Sequence, residues 1–123
     1  MTVKELREYA LLKRHELEEQ ADVCQWLDVM GILYFAVPNG GKRGKKAQAQ
    51  AKSEGLKSGV PDLVILLPLG RAVFVEMKRR KGGTVTTAQK QWVADLSALG
   101  FAVKVCRGSD EAIAFISSMI VIK

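Results

Sequence analysis

Apolar positions in this chain recur with two periods, one helical and one extended. Over residues 3–30 the spacing is helical: at about 100° per residue, Tyr9, Leu12, Val23, Leu27 and Met30 fall on one stripe. Gly31 supplies a stop, and the pattern predicts one long helix or two pieces. Residues 32–37 (ILYFAV) read as a short buried strand ended by Pro38-Asn39-Gly40-Gly41. Residues 45–54 (KKAQAQAKSE) combine good helix formers with almost no apolar face, which predicts an exposed helix closed by Gly55. Two apolar runs, residues 63–67 and 72–78, flank Pro68-Leu69-Gly70 and predict a β-hairpin. After Gly82-Gly83, a helix is expected from near Thr86 to Leu99-Gly100, then a strand over residues 101–106 and a helix over 109–120. Trp26, Met30 and Trp92 are expected in the core. This order predicts a single α/β domain over residues 1–123, with a mixed four-stranded sheet covered by helices.

Charge changes the picture at the hairpin. A three-residue loop of type I geometry, with Pro first and Gly in the left-handed region, would set Leu67 opposite Arg71. Asp62 then lies opposite Glu76, with Cβ atoms about 4.5–5.5 Å apart. A loop one residue longer would move Asp62 to the wrong face. Alternation puts Ala72, Phe74, Glu76 and Lys78 on one face of the second strand and Val73, Val75 and Met77 on the other. Apolar residues on both faces imply a central, covered strand. Two opposed carboxylates there repel unless one is protonated or a cation lies between them. The alternative is a Glu-Lys pair fraying into solvent at a strand end. A hard divalent cation suits carboxylate oxygens, and Lys78 is placed to orient a water or stabilise developing charge, a constellation fit for phosphodiester hydrolysis.

A hydrophobic content of 48% argues for a folded globule, and no apolar run approaches the roughly 20 residues of a membrane span. The charged, periodic N-terminus does not read as a signal peptide. Cys24 and Cys106 lie in apolar patterns without metal-ligand spacing, as expected of buried thiols in a reducing cytoplasm. Net charge is +6, concentrated in two blocks flanking the hairpin. Lys42, Arg43, Lys45, Lys46, Lys52 and Lys57 form the first, and Arg79 and Arg80 lie in the second. Such blocks fit a nucleic-acid backbone, while sparse aromatics argue against stacking on single strands.

Pro61-Asp62 followed by Glu76-Met77-Lys78 resembles the PD-(D/E)xK nuclease signature. Gly59-Val60-Pro61-Asp62-Leu63, with Thr86-x-x-Gln89-x-x-Trp92 downstream, resembles the VRR-NUC (virus-type replication-repair nuclease) branch, and the resemblance runs from about Glu16 to Ile116. It implies a restriction-endonuclease-like αβββαβ core. It also implies Mg²⁺ or Mn²⁺ held by Asp62, Glu76 and the backbone carbonyl of Met77. Small standalone phage-type members resemble homodimeric Holliday-junction resolvases, so the resemblance implies a homodimeric DNA-repair endonuclease acting on branched duplexes. A flap nuclease or exonuclease, or a non-catalytic nucleic-acid-binding module, are the alternatives.

The family also carries an acidic residue on its first helix, usually four before a Gln, which Glu16 and Gln20 match. Glu16 also falls on the apolar stripe, whereas Glu18 points away and Glu19 is marginal, so Glu16 is the expected site residue and Glu19 the reserve. Gln89 has two readings: Thr86-x-x-Gln89 is a capping box, yet Gln89 also shares the sheet-facing stripe with Trp92, Val93 and Leu96. His15 is assigned no role.

Overall fold

The computed structural model describes residues 1–38 and 45–120. The N-terminal helical pattern forms two helices. α1 (Val3–Leu12) starts at a Thr2/Glu5 capping box, and α2 (Glu16–Met30) starts anew after His15 takes an extended conformation. Gly31, at φ +69°, closes α2. The break resets the helical phase, so a stripe counted across it does not hold. Glu19, Val23 and Leu27, spaced by four, form the buried line of α2. Tyr9, Leu12 and Met30, expected on the core stripe, are exposed, and α1 buries no residue.

The four strands β1 (Tyr34–Ala36), β2 (Leu63–Leu67), β3 (Arg71–Lys78) and β4 (Ala102–Arg107) form one sheet in the order β1-β2-β3-β4. The first two pairings are antiparallel and the β3–β4 pairing is parallel. A parallel neighbour needs a crossover, and α4 (Thr87–Ala98) supplies it. α3 (Lys45–Ser53) lies between β1 and β2 in the chain, and α5 (Ser109–Ile120) follows β4. With α3 treated as an insertion, α2-β1-β2-β3-α4-β4 is the expected αβββαβ order: a mixed four-stranded α/β sheet flanked by helices.

Alternation along β2 and β3 sends Leu63, Ile65, Leu67, Val73, Val75 and Met77 to one face. There they meet Val23 and Leu27 of α2 and Ala112 and Ile116 of α5, with Cys106 of β4. Trp26 packs against this core, and Trp92 is half-buried on α4. β1 differs from expectation. It is an edge strand with Leu33 and Phe35 exposed, and only its Tyr34 side is anchored, where the hydroxyl donates to Asp28 of α2 at 2.9 Å. A continuous apolar run does not by itself distinguish an edge strand from a buried one.

The hairpin register is the expected one, with Leu67 opposite Arg71 and Leu63 opposite Val75. The turn geometry is not. Leu69 and Gly70 both have positive φ, +65° and +72°, in place of a type I turn with Gly alone left-handed. Two successive left-handed residues follow the sense of primed hairpin turns, whose twist matches that of the strands. Leu69 is 89% exposed, so no packing compensates its strain. Leu69→Asn should therefore stabilise the protein by about 1 kcal/mol, read from the urea midpoint at unchanged m.

Candidate active site

Asp62 sits just before β2, and its backbone carbonyl accepts from Val37 N–H at 2.8 Å. Its carboxylate crosses to β3, where Oδ2 accepts the Met77 N–H at 2.7 Å. Glu76 is 1% exposed, and Lys78 and Asp62 are also buried. Lys78 Nζ lies 3.9 Å from Glu76 Oε1. The hairpin thus brings both carboxylates and the lysine together, as its register requires.

The segment before Asp62 is held against α4. Gly59 has φ +81°, and a Cβ there would lie 2.7 Å from the Ala88 carbonyl carbon, so only glycine permits this approach. One turn further along α4, Trp92 donates its indole N–H to the Ser58 carbonyl at 3.1 Å.

Gln89 satisfies both readings of the sequence. Its Oε1 accepts the Thr86 N–H at 2.9 Å, closing the capping box, while its Nε2 donates to Glu76 Oε1. The other oxygen of Glu76, Oε2, is buried and has no hydrogen-bond partner. Burial, then the neighbouring Asp62 carboxylate, push the Glu76 carboxyl up to about 8; Lys78 opposes the shift. Glu16 is half-buried at the start of α2. Burial raises its carboxyl above the ordinary range, while the Lys78 and Arg79 charges lower it and the Asp62 charge raises it. Glu19 is fully buried between Arg14, at 3.0 Å, and Arg80, at 2.8 Å.

An orphaned buried carboxylate oxygen beside a second carboxylate suits a hard divalent cation. The available donors are Asp62, Glu76, the Met77 carbonyl and water. Among the described residues, no group of three or more His, Cys, Asp or Glu side chains is arranged to hold a metal. The Met77 side chain is buried in the core, which leaves only its backbone carbonyl as a candidate donor.

Of the basic residues, Lys46, Lys52 and Lys57 are exposed on and after α3, and Arg79 is exposed after β3. Lys42, Arg43 and the side chain of Lys45 lie outside the described residues. Arg80, expected to contact phosphates, turns inward to Glu19, Asp110 and Ser109. Arg107 carried no sequence signal. At the end of β4, its guanidinium donates to the carbonyls of Gly82 at 2.5 Å and Gly83 at 3.2 Å, holding the loop that leaves β3.

Residues 9–110 match the VRR-NUC domain family. The chain belongs to the VRR-NUC family. A solved structure described as a "VRR_NUC domain protein" superposes with a TM-score of 0.71 at 25% identity, covering 85% of this chain and 87% of its own. No curated protein is significantly similar in sequence. The VRR-NUC domain has a PD-(D/E)xK nuclease-type fold. No helix among its described residues is long and apolar enough to cross a membrane.

The raised Glu76 pKa fixes a sign. The folded state favours the protonated carboxyl, so its contribution is fully present below about pH 4.5 and is lost as pH rises through about 8. In EDTA, wild-type stability should fall over that window by on the order of 1–3 kcal/mol more than that of Glu76→Gln. Urea titrations of both proteins at pH 5 and pH 8 measure the difference.

Proposed function

We propose that this VRR-NUC domain is a metal-dependent, structure-specific DNA endonuclease that hydrolyses phosphodiester bonds, with branched duplexes such as Holliday junctions as substrates. The observation that carries this reading is the buried Asp62–Glu76 pair, with Glu76 Oε2 unpartnered and Lys78 alongside. A bound Mg²⁺ or Mn²⁺, held by Asp62, Glu76 and the Met77 carbonyl, supplies charge neutralisation at the scissile phosphate and a more acidic water.

The chain's own groups do the rest. Asp62 is aimed by the Met77 N–H, and Glu76 by the Gln89 amide. Lys78 is a fixed cation that orients the attacking water or stabilises charge growing on the phosphate oxygens. Glu16, half-buried at the start of α2 and influenced by the charges of Lys78 and Asp62, is a further candidate for the site. The exposed Lys46, Lys52, Lys57 and Arg79 give a net-positive surface for backbone phosphates, with little means of reading bases. A homodimer pairing two such sites would suit a four-way junction; this part of the proposal comes from the family resemblance.

Purified protein is tested on junction, flap and linear duplex DNA with Mg²⁺ or with EDTA. Wild type should cleave the junction in Mg²⁺ alone, and Asp62→Ala and Lys78→Ala should each lose on the order of 100-fold or more. Preference for flaps or ends would select the flap or exonuclease reading. Wild-type cleavage no greater than that of the variants would leave only a binding module.

A second readout needs no substrate. Metal binding requires the ionised carboxylate, so its affinity depends on pH. Mg²⁺ should raise the melting temperature of the wild type, more at pH 8.5 than at pH 6.5, and should not raise that of Asp62→Ala.

A further inference from the structure

We propose that the buried Glu19–Arg80 ion pair is a positioning device for the candidate active site, setting how the Glu16 turn of α2 meets the Lys78 end of β3. The proposal rests on the nuclease reading above. Glu19 is 0% exposed; Arg80 Nη2 donates to its Oε1 at 3.2 Å, and Arg80 Nε lies 2.8 Å from Oε2 as an ion contact outside hydrogen-bond geometry. Each partner stands next to a residue of the site. Glu19 is one helical turn from Glu16, and Arg80 follows Lys78 by two residues. The pair is therefore a strut between the first turn of α2 and the exit of β3, the segments that carry Glu16 and Lys78.

Further contacts fix both ends of the strut. Arg14, in the joint between α1 and α2, reaches Glu19 at 3.0 Å and Asp22 at 2.6 Å, and also donates to the Glu18 carbonyl. Arg80 reaches Asp110 at 3.0 Å and the Ser109 hydroxyl at 3.3 Å, tying in the first turn of α5. The slot for the pair is shaped by Gly108, where a Cβ would lie 2.8 Å from Arg80 Cγ and 3.0 Å from Glu19 Oε2. Gly108 N–H also donates to the Lys78 carbonyl at 2.8 Å, so the same corner holds the backbone of the lysine.

Stability alone is a poor reason for this arrangement. Replacing a buried ion pair with apolar residues of similar size is often neutral or stabilising, whereas removing one partner strands a charge. What the pair supplies and an apolar contact does not is direction: one planar guanidinium that donates to Glu19, Asp110 and Ser109 together fixes angle as well as distance.

The test uses the double variant Glu19→Leu/Arg80→Met, which removes both charges and keeps the volume, and Arg80→Lys, which keeps the charge and loses the planar guanidinium. Both are assayed on the junction substrate in Mg²⁺ at a temperature where each is folded by circular dichroism. The expected result for the double variant is a melting temperature close to wild type, an unchanged KM for DNA and a kcat lower by about 10- to 100-fold. Arg80→Lys should show the same split to a smaller degree. Wild-type kcat in whichever variant folds would overturn the proposal, as would a KM change without a kcat change. Asp62→Ala is run in parallel, with amide hydrogen exchange on all proteins. If wild type cleaves no better than Asp62→Ala, the nuclease reading falls and exchange alone decides the positioning claim. Faster exchange confined to residues 16–20 and 76–80 of the variants supports it, and unchanged exchange there overturns it.

Discussion

Two carboxylates, Asp62 and Glu76, are forced together by the register of one hairpin, and much of the molecule answers the resulting repulsion. The register itself is set by apolar alternation: Leu63, Ile65 and Leu67 must face α2 and α5 together with Val73, Val75 and Met77. A slip of one residue would turn that whole set outward. The core therefore holds the charges in place, and hydrophobic burial overrides their mutual aversion. Lys78, the Met77 N–H and the Gln89 amide each relieve part of the tension. The unpartnered Glu76 Oε2 is what these groups leave unrelieved.

The surroundings of the pair are rigid for separate local reasons. Gly59 lets the loop before Asp62 press on the first turn of α4, and Trp92 binds that loop's backbone. Arg107 holds the carbonyls of the loop that follows β3. The Glu19–Arg80 strut joins the start of α2 to the exit of β3. Few of these contacts touch the carboxylates, yet together they restrict every segment that carries one.

Much of the fold was legible because periodicity and turn residues agreed. The hairpin register followed from Pro68-Leu69-Gly70, and with it the meeting of Asp62 and Glu76, although Leu69 shares the left-handed region expected of Gly70 alone. What was not legible depended on phase or on distant partners. The restart at His15 rotated α2 relative to α1, so the buried line runs through Glu19 and leaves Tyr9 and Leu12 outside. Residues 32–37 were apolar enough to suggest burial, but only a sheet order shows that β1 lies at an edge. Arg80 stood in a basic run and looked like a surface charge. Its partners, Glu19 and Asp110, are far away in sequence, and no local pattern predicts such a pairing. Gln89 was legible in both of its roles, which proved compatible because an amide has two ends.

That double use has a thermodynamic consequence. The Gln89 oxygen holds the first turn of α4 and its nitrogen holds Glu76, so helix nucleation and carboxylate ionisation share one side chain. A charged acceptor binds an amide N–H more strongly than a neutral one. Ionising Glu76 therefore tightens the start of α4, and fraying of that turn releases the carboxylate; by reciprocity, each event shifts the equilibrium of the other by the same free energy. Through Gly59, the same turn bears on the loop that carries Asp62. The first turn of α4 and the charge state of Glu76 are thus linked through one side chain.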